Sequence, residues 1–286
     1  MKYAFIQEQV CHHTVITLCS VLKVSRSGYY SWRTRKPSQR TIDDQAVIKS
    51  IVAIHDETLQ SYGSPRMHVE LTEAGHRISV GRVERLMSNN SLAAKQGKKN
   101  KQRQHHRNGI AHVANILDRQ FTAASPNTKW VSDITFIETR EGFLYLAVIL
   151  DLYSRAIVGW SMSHKIDEVL VQDALTMAVD RRALKNGLLL HSDQGSQYKS
   201  KGYQQRIKSL NMICSMSRKG ECHDNAVAES FFHSLKTELI NDHVYQNRSV
   251  ARQEIFKYIE IFYNRKRRHS TLHYQAPLNF EIMNAA

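Results

Sequence analysis

Three apolar segments follow one another closely between residues 130 and 162, and their pattern is that of strands rather than helices. Residues 130–137 alternate and are rich in β-branched side chains, Glu141-Gly142 supplies a turn, residues 143–150 are almost continuously apolar, and residues 156–162 form a third run. Strands this close together in sequence predict an antiparallel meander. The pattern then changes. Helical spacing over 167–184 is ended by Gly187, and a short buried strand at 188–191 delivers Ser192-Asp193. A helix at 201–210, a strand at 212–216 and two amphipathic helices at 224–240 and 250–263 complete the series. A meander followed by alternating helices and strands implies an α/β fold with a mixed sheet flanked by helices.

The first ninety residues read as all-α. Residues 14–24 are apolar, and Ser25, Ser27 and Gly28 read as a turn before the aromatic cluster Tyr29, Tyr30 and Trp32. Asp43 or Asp44 starts a helix in which Val47, Ile48, Ile51 and Ile54 recur at helical spacing. After Tyr62-Gly63, Ser64-Pro65 looks like a cap with proline in the first helical position. Ser79 caps a further helix with Val80, Val83, Leu86 and Met87 inward and Arg82 and Arg85 outward. Two short helices joined by a glycine-containing turn fit a helix-turn-helix or a plain helical hairpin equally well.

Forty Lys and Arg against 26 Asp and Glu give a net charge of +14, which points to a polyanionic partner, most commonly nucleic acid. The segment 95–109 holds six Lys or Arg, among them Lys98, Lys99, Lys101 and Arg103, with no acid and no large apolar residue. It reads as a basic connector able to lie along phosphates. The longest apolar run, 143–150, is far short of a membrane span, and the start has no signal-peptide pattern, so a cytoplasmic protein associated with the nucleoid is expected. Cys11, Cys19, Cys214 and Cys222 form no C-x-x-C pair; the loose group Cys11, His12, His13 and Cys19 fits no common zinc spacing.

Three acids stand where acids are uncommon. Asp133 lies inside the first strand (WVSDITFI), Asp193 at the end of an apolar strand (LLLHSDQGSQY) and Glu229 in an amphipathic helix. Carboxylates in such places are ordinarily paired or bound to metal. In that helix Phe231, Leu235 and Leu239 fall on one face, with Asn225, Glu229, His233 and Lys236 on a neighbouring stripe. Three carboxylates suit two Mg²⁺ ions, which take hard oxygen ligands and stabilise the attacking and leaving oxygens of an in-line displacement. Asp151 and Asp224 are rival acids, read as a structural residue and a helix cap. His191 and Asn225 are candidates to orient the acids from behind. Tyr263, Asn264, Arg267, Arg268 and His269 form a basic aromatic tail able to hold DNA.

These residues carry a resemblance. Asp133, Asp193 and Glu229, with 35 residues between the last two, match the DDE signature shared by retroviral integrases and many bacterial insertion-sequence transposases. The strings WVSDIT, LYLAVILDLYSRAIVGW, HSDQGSQY, DNAVAESFFHSLKTEL and FYNRKRRHSTLHYQAPLNF resemble the OrfB-type transposase of elements with two overlapping frames, well from about residue 62 to 280 and loosely before. The resemblance implies an RNase H-like core, a helix-turn-helix, two Mg²⁺ or Mn²⁺ ions on Asp133, Asp193 and Glu229, and a DNA contact from Lys236. It implies end cleavage and strand transfer of a 3′-hydroxyl through a circular intermediate, a homo-oligomer on DNA, and a partner OrfA whose own helix-turn-helix and zipper this chain does not carry. The expected layout is a helical DNA-binding region over 1–94, a basic linker over 95–124, a catalytic core over 125–240 and a basic helical extension over 241–286. Two rival readings are a catalytically inactive DNA-binding regulator, against which the intact triad argues, and an RNase H-like nuclease that cuts without joining.

Overall fold

The computed structural model describes residues 1–97, 113–241 and 243–284. The chain divides into two compact units, 1–51 and 52–286. In the first, α1 (Lys2–Gln9), α2 (Val15–Val21) and α3 (Arg26–Thr34) close around Ile6, Leu18, Cys19 and Tyr29. The turn expected at Ser25–Gly28 is instead the start of α3: the Ser25 hydroxyl accepts the Gly28 N–H at 3.0 Å, an N-cap. Gly28 is tolerated there because a Cβ would come within 2.3 Å of the Tyr3 hydroxyl. Helix α4 (Gln39–Glu57) carries the chain into the second unit. It begins earlier than Asp43 because the Ser38 hydroxyl already accepts the Thr41 N–H.

The second unit opens with α5 (Ser64–Glu73) and α6 (Val80–Asn89), which bury Met67 and Leu71 against Val83, Leu86 and Met87. Pro65 sits in the first turn of α5, with Gly63 rather than Ser64 at the cap position. Ser79 caps α6 through the Arg82 N–H.

The sheet comprises β1 (Lys129–Thr139), β2 (Gly142–Asp151), β3 (Ile157–Ser163), β4 (Leu189–Ser192) and β5 (Ile213–Met216), in the order β3-β2-β1-β4-β5. The first three pair antiparallel, and β1-β4 and β4-β5 pair parallel. This is the RNase H-like mixed sheet. One face, with Trp130, Ala147, Ile149 and Val158, packs on α7 (Glu168–Arg181) and α8 (Lys201–Ser209). Gly159 lets α7 approach closely, since a Cβ there would fall 2.3 Å from the Ala174 carbonyl. The opposite face, with Val131, Leu144, Leu146 and Val148, is fully buried where α9 (Ala226–Leu235) and α10 (Arg248–Phe256) cross β1 and β2. A last helix, α11 (Pro277–Met283), follows.

The two long amphipathic helices are less regular than their periodicity predicts. The first is a 3₁₀ turn over Cys222–Asn225, then α9, then a π-type turn over Lys236–Ile240; the second is α10 followed by a π-type turn over Lys257–Tyr263. Regular spacing places Leu239 inward, yet Glu238 is the buried residue, because Arg267 meets it there. The later part of the expected linker, residues 113–124, is largely exposed but anchored at one point. Leu117 is buried, and the Ser215 hydroxyl accepts the N–H groups of Ile116 and Leu117. No helix among the described residues is long and apolar enough to cross a membrane.

Candidate active site

The strand register builds the centre of the site. Strands β1 and β4 pair only over Lys129↔Leu189, Trp130↔Leu190 and Val131↔His191. Two residues further along each strand stand Asp133 and Asp193, side by side where the strands part. Ser132 Oγ and the buried Tyr198 hydroxyl share a 2.9 Å hydrogen bond that ties β1 to the segment following β4. Gly195 N–H donates to Asp193 Oδ1 at 2.9 Å, and Ile134 N–H donates to Asp133 Oδ1 at 2.8 Å. Gly195 is required for that turn, since a Cβ would sit 2.9 Å from Asp193 Oδ1.

Helix α9 brings the third acid. Just before the helix, Asn225 donates through Nδ2 to the Ser132 carbonyl at 3.1 Å, fixing the start of α9 against the residue preceding Asp133. Glu229 follows one turn later. Burial raises the Asp133 carboxyl well above its ordinary range, and the charges of Asp193 and Glu229 push it further; the Ile134 N–H and Lys236 oppose the shift. Loss of solvent also raises Asp193, although the residue lies at the surface, against the Gly195 N–H and the Lys199 charge. Glu229 is raised by burial and lowered by His223. Asp133 is therefore the central acid, sensing one neighbour from β4 and one from α9.

This donor set fits divalent cations: hard oxygens whose burial opposes ionisation, with one oxygen each of Asp133 and Asp193 outside any hydrogen bond among the described residues. No three His, Cys, Asp or Glu side chains among the described residues gather tightly enough for one ion. Lys236, its pKa lowered by burial against the pull of Asp133, lies with Nζ 5.2 Å over the Phe136 ring. Tyr198, Lys199 and His223 also stand at the site; the sequence reading missed them, and no spacing marks them out.

Residues 123–222 and 229–284 match the Integrase core domain family in two parts, and residues 42–100 match the HTH-like domain family. The chain is 41% identical over 288 residues to Transposase InsF for insertion sequence IS3A of Escherichia coli (strain K12), covering 100% of both. The chain belongs to this family of insertion-sequence transposases. It is also 42% identical over 252 residues to the transposase for insertion sequence element IS904 of Lactococcus lactis subsp. lactis (strain IL1403), covering 88% of this chain and 99% of that one. A similar solved structure is the HTLV-2 integrase catalytic core domain in complex with magnesium (trimeric form), with 15% identity, 55% of this chain and 98% of that chain covered, and a TM-score of 0.43.

In this transposase several polar residues have duties other than those expected. Asp224 does not cap α9. It is wholly buried and accepts from the Arg218 N–H and guanidinium, Arg119 Nε at 2.7 Å and Asn115 Nδ2, and these partners hold its carboxyl far below the usual range. Asp151, by contrast, is structural as expected, taking the N–H groups of Asn127 and Tyr153 and the Trp130 indole. The His191 ring nitrogens meet the hydroxyls of Ser215 at 2.9 Å and Ser217 at 3.1 Å, and burial depresses its pKa to about 4.

The basic tail is mostly interior. Arg267, only 4% exposed, is clamped by Glu238 through Nε and Nη2 and lies over the Tyr263 ring. Arg268 pairs with Glu70 at 2.7 Å and with Glu73 on α5. Both therefore hold the fold together, where the sequence reading placed them on DNA. Asn264 caps the edge of β3, accepting from and donating to Ile157. Arg82 and Arg85 lie on α6, half-buried and exposed respectively. The remaining expected DNA contacts, Lys98, Lys99, Lys101 and Arg103, lie outside the described residues.

Proposed function

We propose that this transposase cuts DNA at insertion-sequence ends and joins the freed 3′-hydroxyl to a new phosphodiester, with Asp133, Asp193 and Glu229 as the catalytic carboxylates. One observation carries the reading: a three-residue parallel register sets Asp133 beside Asp193 at a strand parting, and the central acid also feels Glu229 from a helix tethered to the same strand. Asp133, Asp193 and Glu229 would hold two Mg²⁺ or Mn²⁺ ions, which would supply positive charge to the entering and departing oxygens of an in-line displacement. The protein's own contribution is positional. Tyr198 and Ser132 hold the strand ends, Asn225 sets the phase of α9, and Lys236 and Lys199 bring cationic charge to a phosphate lying over the acids. In the first step water adds to phosphorus and the 3′-oxygen leaves. In the second, that 3′-hydroxyl adds to another phosphodiester and displaces its 3′-oxygen, so each step exchanges one P–O bond for another.

The α5–α6 pair, with Arg82 and Arg85 on α6, is assigned to DNA grip, and Lys98, Lys99, Lys101 and Arg103 to phosphate contact. Joining two ends in concert calls for a homo-oligomer on DNA, and an OrfA-type partner is assigned to end recognition. The test mixes the purified chain, Mg²⁺ and DNA bearing the element's terminal repeats. Joined molecules from the wild type, absent with Asp133→Asn, are expected. Equal joining by both proteins removes Asp133 from the mechanism, and hydrolysis without joining marks a nuclease.

A further inference from the structure

On the sheet face opposite the one that carries Asp133, the tip of the β1–β2 hairpin displays two aromatic rings. Phe136 is 54% exposed and Phe143 is 46% exposed, with ring centroids 5.2 Å apart in an edge-to-face pair. The register Phe136↔Tyr145 and Glu138↔Phe143 puts both on the face that α7 and α8 cover further down, so the cover ends before the rings do. The tip is rigidly held. Arg248 donates to the carbonyls of Glu141 at 2.6 Å and Phe143 at 3.0 Å, and Arg140 N–H donates to the Tyr245 carbonyl. Gly142, at φ +102, completes a turn in which a Cβ would fall 2.9 Å from the Arg248 guanidinium. The two rings thus make a small apolar patch on a stiff support, with the Lys236 ammonium at its edge.

We infer that Phe136 and Phe143 form a stacking platform for an unpaired nucleobase of the DNA whose phosphate is cut. This rests on the proposed function, because Lys236 links the two places: its ammonium lies over Phe136 and its charge reaches Asp133. Aromatic rings beside a cation are the usual means of holding single-stranded nucleic acid, one group taking the base and the other the backbone. The area agrees. Two half-exposed phenylalanines offer roughly 200 Å², enough for a base and far below the ~800 Å² per partner of a stable protein interface. A terminal base drawn onto the rings leaves its partner strand and sets the adjacent phosphate near Lys236, whose charge reaches Asp133 around the edge of β1 left unpaired by β4 beyond Val131.

The test uses the full chain with Mg²⁺ and a duplex ending in the terminal repeat, with 2-aminopurine at a terminal position. Wild-type binding is expected to change the fluorescence as the base leaves its stack, and Phe143→Ala to lose that change while Phe143→Trp keeps it. Cleavage of a paired end by Phe143→Ala is expected to fall about tenfold. Supplying the end already mismatched should restore it, which a merely misfolded variant would not show. An unchanged fluorescence response in Phe143→Ala overturns the platform, as does an equal loss of cleavage on paired and mismatched ends. So does a shift in sedimentation alone, which marks the rings as a protein contact. Asp133→Asn is run in parallel and should keep the fluorescence change without cutting. If it cuts like wild type, the catalytic assignment fails while the fluorescence arm still reads the platform.

Discussion

Glu229 and Glu238 lie on the same helical stretch, yet they belong to opposite kinds of charge cluster. Around Glu238 every ionic demand is met: Arg267 grips the carboxylate through two nitrogens, and the Tyr258 hydroxyl donates to it at 2.7 Å. Around Glu229 nearby acids face one another, with burial and mutual repulsion driving the central carboxyl toward its neutral form. The difference separates stability from chemistry. A carboxylate surrounded by donors is finished, whereas carboxylates crowded against each other hold unspent attraction for a cation.

Glu238→Ala should produce the largest effect on stability. It strands the Arg267 guanidinium inside the protein, and loss of one partner from a buried pair costs about 3–5 kcal/mol. Urea unfolding measures it; a loss below about 1 kcal/mol would show that water reaches Arg267. Asp133→Asn should act in the opposite direction. The native carboxyl titrates above its unfolded value, so the folded state binds more protons between the two values, and stability falls as pH rises through the native value. Without divalent ions at neutral pH the variant should therefore be more stable than wild type, by about 1–4 kcal/mol, the worth of one close like-charge contact at a partly solvated site. Added Mg²⁺ should stabilise wild type and leave the variant's unfolding midpoint nearly unmoved. A destabilised apo variant would place Asp133 with the satisfied acids.

His191 sharpens the comparison from a third side, being paired by hydroxyls rather than by charge. Its folded pKa of about 4 lies below the unfolded value of 6.5, so the unfolded chain takes up the proton first. Stability is complete above 6.5 and falls as pH drops toward 4, by up to about 3 kcal/mol. His191→Gln should flatten that part of the pH–stability curve. An unchanged slope assigns it to other groups, such as His269, whose pKa burial and the nearby Arg267 lower to about 3.

The sheet was legible because its strands are almost uniformly apolar and separated by strong turn residues, and the boundaries of β1, β2 and β3 fall within about two residues of their expected places. The proximity of the acids was legible only through spacing and family likeness; the three-residue register that creates it is a tertiary fact. The tail misled for a physical reason. Arg267 and Arg268 look like solvated cations in sequence, and their partners Glu238, Glu70 and Glu73 lie 29 to 198 residues away. The π-type turns were invisible because nothing in LKTELI breaks helical periodicity. Helix α3 was obscured because serine and glycine serve both turns and caps.

The Arg268 clasp on α5, with the Tyr62 hydroxyl donating to the Lys266 carbonyl and accepting the Arg268 N–H, makes the helix pair and the acids parts of one body. On the proposed function, a reading head bolted to its cutting edge behaves as a ruler: the interval from gripped groove to severed bond would be a property of the protein, with no slack for a linker to absorb. Five extra base pairs, about half a helical turn, inserted between grip and cut should silence cleavage at the old position. A cut that simply follows the insertion would show that the head swings free.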